Sequence, residues 1–308
     1  MAASTSNPFC ATASAADALP YTVPVHDVRV EAYVEYCRAE GYWTEGPDRM
    51  TPTAKDWFLL AGQPHEVSLQ MDIYTPGNDP SPLRPLLLMM HGGGFVIGSK
   101  NEKGQTEWCR YFASLGYVAA SIDYRMGFKP THTGLIKAEK DALEDARAAL
   151  SFLLGRKDLR IDPDRVFAAG TSAGGNLALG LSYMPVPSVP CHILAAGNLW
   201  GYIRDLSILE NAYVPIVSFQ SVQDPVVPYR KGYPLGQMLA GTVYGTKAVH
   251  DQATRLGIPC RHIPVKEKAH RLHLDREGAF TEHFYAIRDA LTAFFAEAMQ
   301  GCLSRKQA

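Results

Sequence analysis

The stretch Val166-Phe167-Ala168-Ala169-Gly170-Thr171-Ser172-Ala173-Gly174-Gly175-Asn176 sets a serine inside the pattern G-x-S-x-G, behind a short apolar run. When a strand enters such a pattern and a helix leaves it, the serine occupies a sharp turn that projects its hydroxyl away from both backbone arms. Gly170 and Gly174 leave open the space that a Cβ would take. The first N–H groups of the following helix then face any oxyanion that forms beside the hydroxyl. This is the layout for nucleophilic acyl transfer. A serine hydroxyl is a poor nucleophile at neutral pH, so the chemistry also requires a histidine base and a carboxylate to orient and charge-balance it.

Downstream of Ser172 the carboxylate best placed is Asp224, in Ser221-Val222-Gln223-Asp224-Pro225-Val226-Val227-Pro228, just past an apolar run that reads as a strand. Catalytic groups belong at the carboxyl ends of such strands. Asp205 lacks an obvious strand before it, and Asp251 falls inside an expected helix. Four histidines follow. His262 lies within an expected strand and His283 in the last helix, where packed or solvated roles are the default. His270 comes five residues after the last strand and His273 three residues further along the same loop. His270 is preferred because short loops place groups best, with His273 as the alternative. Upstream, His91-Gly92-Gly93-Gly94-Phe95 follows the apolar run Pro85 to Met90, so its glycines can turn backbone N–H groups toward a substrate carbonyl. Asp123-Tyr124-Arg125, at another strand end, reads as architectural.

These residues need a scaffold, and the hydrophobic pattern supplies one. His65 to Tyr74 alternates, with Val67, Leu69, Met71 and Ile73 on one face of a half-buried strand. Pro85 to Met90, Tyr117 to Ile122 and Val166 to Ala169 are continuous apolar runs, the mark of strands covered on both faces. The last of these follows an expected turn at Asp162-Pro163-Asp164. Further strands are expected at Cys191 to Ala196, Val214 to Gln220 and Cys260 to Val265. Helices are expected at Glu102 to Leu115, Leu135 to Leu154, after Ser172, at Thr246 to Leu256 and at Phe280 to Met299. In the Leu135 helix Ala142, Ala146, Ala149, Leu150 and Leu153 form the inward stripe, and the charges Lys137, Glu139, Lys140, Asp141, Glu144, Asp145 and Arg147 mostly a solvated face. Alternating strands and helices imply an α/β fold with a mostly parallel central sheet and helices on both faces. Residues 1–24 read as a flexible arm and 25–60 as a lead-in segment. No composition break divides the single domain expected over 25–308.

The totals narrow the function class. The chain has 308 residues, 46% hydrophobic and 20% charged, with a net charge of −1 and scattered basic residues. No basic patch points to nucleic acid, and no apolar stretch approaches a membrane span. The six cysteines, at positions 10, 37, 109, 191, 260 and 302, show neither C-x-x-C pairing nor metal-ligand spacing. Cys191 and Cys260, at strand starts, read as buried hydrophobes, and disulfide pairing stays open. Met1 to Leu19 is rich in Ala, Ser and Thr without a basic start or apolar core, so it is not a secretory signal as written, and localisation stays open.

Taken together, His91-Gly92-Gly93-Gly94-Phe95, Asp123-Tyr124-Arg125, Gly170-Thr171-Ser172-Ala173-Gly174-Gly175 and Gln223-Asp224-Pro225-Val226-Val227-Pro228-Tyr229 resemble the carboxylesterase/lipase branch of the α/β-hydrolase superfamily, over roughly Glu66 to the C-terminus. The resemblance implies a serine ester hydrolase with Ser172, Asp224 and His270 as triad. It assigns the oxyanion hole to the backbone N–H groups of Gly93, Gly94 and Ala173, and it implies no metal or organic cofactor. The expected partner is a small-molecule ester with a small or aromatic acyl group, or ester groups on a polymer, with Trp200 and Phe95 as candidate pocket walls. Two departures stand out. Lys268-Ala269-His270 lacks the glycine that often precedes the family histidine, which keeps His273 in play. Gln220-Ser221-Val222-Gln223 replaces the more usual His-Gly-Thr before the acid, a change expected to be structural. Only 52 positions separate Ser172 from Asp224, which leaves little room for a lid and implies an open cleft. Relatives with this layout are often secreted bacterial enzymes, which leans localisation outward. A serine peptidase or amidase on the same fold would need the same triad, and an inactive binding protein would lack one of its members.

Overall fold

A computed structural model describes residues 20–44, 62–185, 188–189 and 191–303. Most of the expected N-terminal arm, and Trp57 and Phe58 of the lead-in segment, lie outside the described residues. In chain order the main elements are β1 (Val28–Gly41), β2 (His65–Pro76), β3 (Arg84–Met90), α1 (Lys103–Ser114), β4 (Val118–Ile122), α2 (His132–Gly155), β5 (Ile161–Thr171), α3 (Ala173–Tyr183), β6 (Ile193–Leu199), β7 (Tyr202–Ile203), β8 (Ile216–Ser221), β9 (Lys231–Gly232), β10 (Val243–Gly245), α4 (Thr246–Arg255), β11 (Cys260–Val265) and α5 (Glu282–Met299).

Eight strands form one sheet in the order β1-β2-β4-β3-β5-β6-β8-β11, and β7, β10 and β9 form a small second sheet. In the large sheet, β1–β2 and β2–β4 are antiparallel and the remaining pairs are parallel. The mostly parallel sheet expected from the continuous apolar runs is therefore observed. Every residue of β3 is buried. Its side chains alternate between two cores, with Leu86, Leu88 and Met90 on one face and Leu87 and Met89 on the other. The first core holds α2, α3 and α4 through residues such as Ala146, Leu177 and Val249. The second holds α1 and α5 through Trp108, Phe112, Ile287 and Leu291. A side chain of this size stabilises by roughly 1.5–3 kcal/mol when fully buried, which makes β3 the centre of the scaffold.

Three expectations change. The lead-in segment contains β1, an antiparallel strand on the sheet's edge. Its side chains are largely exposed and its register shifts twice, so it carries no clean alternation to read. Asp162-Pro163-Asp164 lies inside β5, where the pairing with β3 skips from Ile161 to Val166. On α2, Glu139 and Asp145 are buried instead of solvated. Glu139 receives the guanidinium of Arg204 and the hydroxyl of Tyr202, and Asp145 receives Arg125 through its backbone N–H and its guanidinium. The Asp123-Tyr124-Arg125 segment is structural in this sense. Asp123 accepts the Lys100 N–H through its side chain, and its carbonyl accepts the Tyr36 hydroxyl. The described cysteines 37, 109, 191, 260 and 302 are unbridged, with Cys109 buried and Cys191 and Cys260 half-buried.

Candidate active site

β3, β5, β8 and β11 are parallel neighbours or near neighbours, so their carboxyl ends open on the same edge of the sheet. His91 follows β3, Ser172 follows β5, Asp224 lies three residues past β8 and His270 five past β11. The fold thereby gathers residues spread over 180 positions at one edge.

Ser172 sits at φ 52°, ψ −113°, outside the regions that ordinary residues occupy. The strain is held by close packing. A Cβ on Gly170 would lie 2.7 Å from the Met90 carbonyl oxygen and run into the backbone of Gly174, and one on Gly174 would meet the Met90 and His91 carbonyls. The Ser172 N–H is tied to the Leu199 carbonyl at 2.8 Å, and its own carbonyl accepts the Asn176 N–H at 3.1 Å to begin α3. The hydroxyl is thus the part of the residue left to project.

The Ser172 Oγ lies 2.8 Å from His270 Nε2, and His270 Nδ1 lies 2.8 and 3.0 Å from the two carboxylate oxygens of Asp224. An ionised carboxylate can only accept, so Nδ1 carries the proton and Nε2 offers its lone pair to the serine hydroxyl. The Asp224 side chain is fully buried, and the N–H groups of Val226 and Val227 donate to its Oδ1 at 2.8 and 3.1 Å. Asp205 instead caps a short 3-10 turn, and Asp251 is an exposed partner of Lys247 and Arg230.

His273 has a different place. It is buried between Trp200, stacked at 5.3 Å between ring centres, and Trp108, also at 5.3 Å. Its Nε2 lies 2.9 Å from Glu102, the residue that caps α1 by accepting the Gln105 N–H. Burial works to raise the Glu102 pKa, but the His273 hydrogen bond and the α1 N–H groups outweigh it and hold the carboxyl at about 2. A Cβ on Gly104 would run into the His273 ring, so a glycine in the first turn of α1 makes this contact possible. The Trp200 ring also meets His270 edge-on, at 6.4 Å. His262 packs in β11 beside His250 and Tyr229, and His283 lies 3.5 Å from Glu267.

The glycine loop passes directly against the nucleophile, since a Cβ on Gly92 would lie 3.2 Å from the Ser172 Cβ. Its backbone orientation follows from trans peptide planes, in which a C=O and the next N–H point oppositely. The Gly93 carbonyl accepts the N–H groups of Val96 and Ile97, both at 3.1 Å, so the Gly94 N–H points out of that turn. The Gly92 carbonyl faces His91 Nδ1 at 2.6 Å, which turns the Gly93 N–H away from the His91 ring. The Ser172 carbonyl points along α3, so the Ala173 N–H points out of the helix start. Gly93 and Gly94 have φ of 115° and 62°. His91 is buried, which pushes its pKa down to about 4 and keeps the ring neutral at pH 7.

Supports for this loop come from Trp43, Gly127 and Tyr124, of which the sequence singled out Tyr124 alone, as architectural. The Trp43 Nε1–H donates to the Val96 carbonyl at 2.9 Å, the Gly127 N–H to the Phe95 carbonyl at 2.8 Å and the Tyr124 hydroxyl to the His91 carbonyl at 2.7 Å. Each contact spans at least 32 positions, beyond any local pattern. Of the two expected pocket walls, Phe95 is fully buried against Tyr124 and belongs to the core, and Trp200 is buried against the two histidines. Between Ser172 and Asp224 the described residues add α3, β6, β7, a 3-10 turn at Leu206–Glu210 and β8, with no further helical layer. No helix among the described residues is long and apolar enough to cross a membrane.

The family model described as BD-FAE matches residues 71–185, which include the glycine loop and the serine turn. Among curated proteins, the chain is 35% identical over 152 residues to the non-reducing polyketide synthase pkbA of Emericella nidulans, covering 48% of this chain and 6% of that protein. It is 37% identical over 121 residues to the non-reducing polyketide synthase nvfA of Aspergillus novofumigatus, covering 38% of this chain and 5% of that one. The chain thus spans only a small part of the length of these relatives. Among solved structures it is similar to Thermogutta terrifontis esterase 2 phosphoramylated by tabun, with TM-score 0.58 and 19% identity over 96% of this chain and 100% of that one. The propionate-bound form of the same esterase gives TM-score 0.57 and 22% identity over 78% and 93%.

Proposed function

We propose that this chain, an α/β-hydrolase by fold, is a carboxylic ester hydrolase that works through Ser172, His270 and Asp224. The observation that carries this reading is the unbroken hydrogen-bond series from Ser172 Oγ to His270 Nε2 and from His270 Nδ1 to Asp224. Its geometry suits a two-step acyl transfer. His270 takes the serine proton as Oγ attacks the ester carbonyl, and Asp224 stabilises the imidazolium while keeping Nδ1 protonated. The N–H groups of Gly93, Gly94 and Ala173 receive the tetrahedral oxyanion, and each such donor is typically worth about 2.7–4 kcal/mol of barrier. His270 then protonates the leaving alcohol, and water attacks the acyl-enzyme by the same route in reverse. The BD-FAE match and the esterase neighbours support the reaction class. A small acyl group is favoured by the propionate and butyrate that occupy two of the neighbouring esterase structures.

The test is hydrolysis of p-nitrophenyl acetate, butyrate, octanoate and benzoate by wild type, Ser172→Ala, His270→Ala and His273→Ala. Wild type should turn over the short esters. Ser172→Ala and His270→Ala should each lose at least about 10³-fold in kcat, whereas His273→Ala should keep measurable turnover. Paraoxon, which phosphorylates the neighbouring esterase, should inactivate wild type and add one diethylphosphoryl mass to the Ser172 peptide. Turnover surviving in Ser172→Ala, or cleavage of amides in preference to esters, would overturn the reading.

A further inference from the structure

Asp224 must present its carboxylate plane to His270, and the groups behind it decide whether it can. Two donors to Oδ1 are the N–H groups of Val226 and Val227, which belong to its own loop. Besides His270 Nδ1, Oδ2 accepts from the Gln220 side-chain amide, four positions earlier, with Nε2 at 3.2 Å. Gln220 stands near the end of β8 and is fully buried.

An amide can be turned over, which would set an oxygen against the carboxylate. Here the surroundings forbid it. Gln220 Oε1 accepts both the backbone N–H of Thr246, at 3.1 Å, and its hydroxyl, at 2.8 Å. The other Nε2 proton goes to the Val227 carbonyl at 2.9 Å. Turned over, the amide would place its oxygen against a carboxylate and a carbonyl, and its NH₂ against a backbone N–H, all in a dry interior where unmade hydrogen bonds are costly. Thr246 opens α4, so its N–H is one of those a helix leaves unpaired, and Gln220 satisfies it. Having donated its hydroxyl proton, Thr246 Oγ1 accepts from His262 Nε2 at 3.1 Å. The proton directions therefore run without conflict from His262 through Thr246 and Gln220 to Asp224.

We propose that Gln220 is a positioning residue for the acid of the triad, with its own orientation locked by Thr246 and His262. This rests on the triad reading above. The choice of an amide has a physical reason. A cation at this place would compete with His270 for the charge of Asp224, whereas a neutral donor fixes the carboxylate plane and leaves its full charge to the imidazolium.

The experiment is a kinetic double-mutant cycle on p-nitrophenyl acetate with Gln220→Met, Thr246→Val, Asp224→Ala and the two combinations with Asp224→Ala. Gln220→Met should lower kcat roughly 10-fold, the scale of one lost hydrogen bond to a charged group. KM should stay within about two-fold, because acylation and deacylation use the same His270 and slow together. Thr246→Val should lower kcat by a smaller factor with the same unchanged KM. In the Asp224→Ala background both substitutions should change kcat by less than about two-fold, because nothing is left to position. Equal losses with and without Asp224, or no loss from Gln220→Met, would overturn the positioning role while leaving the triad intact. If Asp224→Ala itself keeps wild-type kcat, the triad reading falls, and the role of Gln220 falls with it. Should Gln220→Met fail to fold, Thr246→Val decides alone: a kcat loss that vanishes with Asp224→Ala supports the proposal, and its absence or additivity overturns it.

Discussion

Two adjacent glycines in the loop before the serine look interchangeable in the sequence and are not so in the structure. A Cβ on Gly93 would run into the Ile97 carbonyl, whereas one on Gly94 would meet nothing within 4 Å. Both have positive φ, so either alanine carries the left-handed cost of roughly 1–2 kcal/mol. Gly93→Ala must in addition displace the turn that orients the Gly94 N–H. We expect Gly93→Ala to lose at least about 10²-fold in kcat, the scale of one oxyanion donor, and Gly94→Ala to keep most of its activity with a modestly lower Tm. Parallel kinetics and thermal melts of the two variants check this, and equal losses would rule out the steric distinction. The two histidines show the same dependence on surroundings. Their sequence contexts made His270 the preferred base and His273 the alternative, and in the structure Asp224 faces His270 Nδ1 while Glu102, 171 positions upstream, faces His273.

At the scale of elements, α2 does more than pack. Its alanine stripe faces the sheet as the spacing requires, and the same helix sends Glu139 and Asp145 inward to Arg204 and Arg125. Arg204 in turn holds the Ala240 carbonyl, which ties the segment before β10 to the helix. Removing one partner of a buried pair leaves the other charge uncompensated and costs about 3–5 kcal/mol. Glu139→Ala should therefore lower the urea midpoint far more than Lys137→Ala, whose partner Asp141 is reached on the exposed surface. Matching midpoints would show that Glu139 behaves as the solvated residue its position among six other charges suggests. A charge inside an amphipathic repeat can be read as exposed or paired only once its partner is known, and Arg204 lies 65 positions away.

For the molecule as a whole, the buried His91 and the half-buried His262 set an acid limit. His91 is brought to about 4 by burial. His262 is also brought to about 4, chiefly by burial and further by His250 and Lys247, against a smaller opposing pull from Asp251. An ordinary histidine in the unfolded chain titrates near 6.5, so between about pH 6.5 and 4 the unfolded state binds more protons and stability falls as pH falls. Glu102, held at about 2, extends the loss from its unfolded value near 4.5 down toward pH 2. Urea midpoints should drop from pH 7 to pH 4.5, and His262→Gln should make that drop smaller. An unchanged drop would remove His262 from the cause.

Much of this protein was legible in its sequence. Apolar runs of strand length and the glycines at Gly170 and Gly174 are local statements about burial and close approach, so the parallel sheet and the turn at Ser172 followed from short windows of sequence. The continuous run at β3 marked a strand covered on both faces for the same reason, since only such a strand dispenses with alternation. What only the tertiary structure decided are relations between windows. These include β1 as an edge strand, Trp43 bracing the glycine loop, Glu102 engaging His273, and Gln220 turned toward Asp224 by a threonine 26 positions later. A hydrogen bond has an energy only when both partners are present, and nothing in either window names the other.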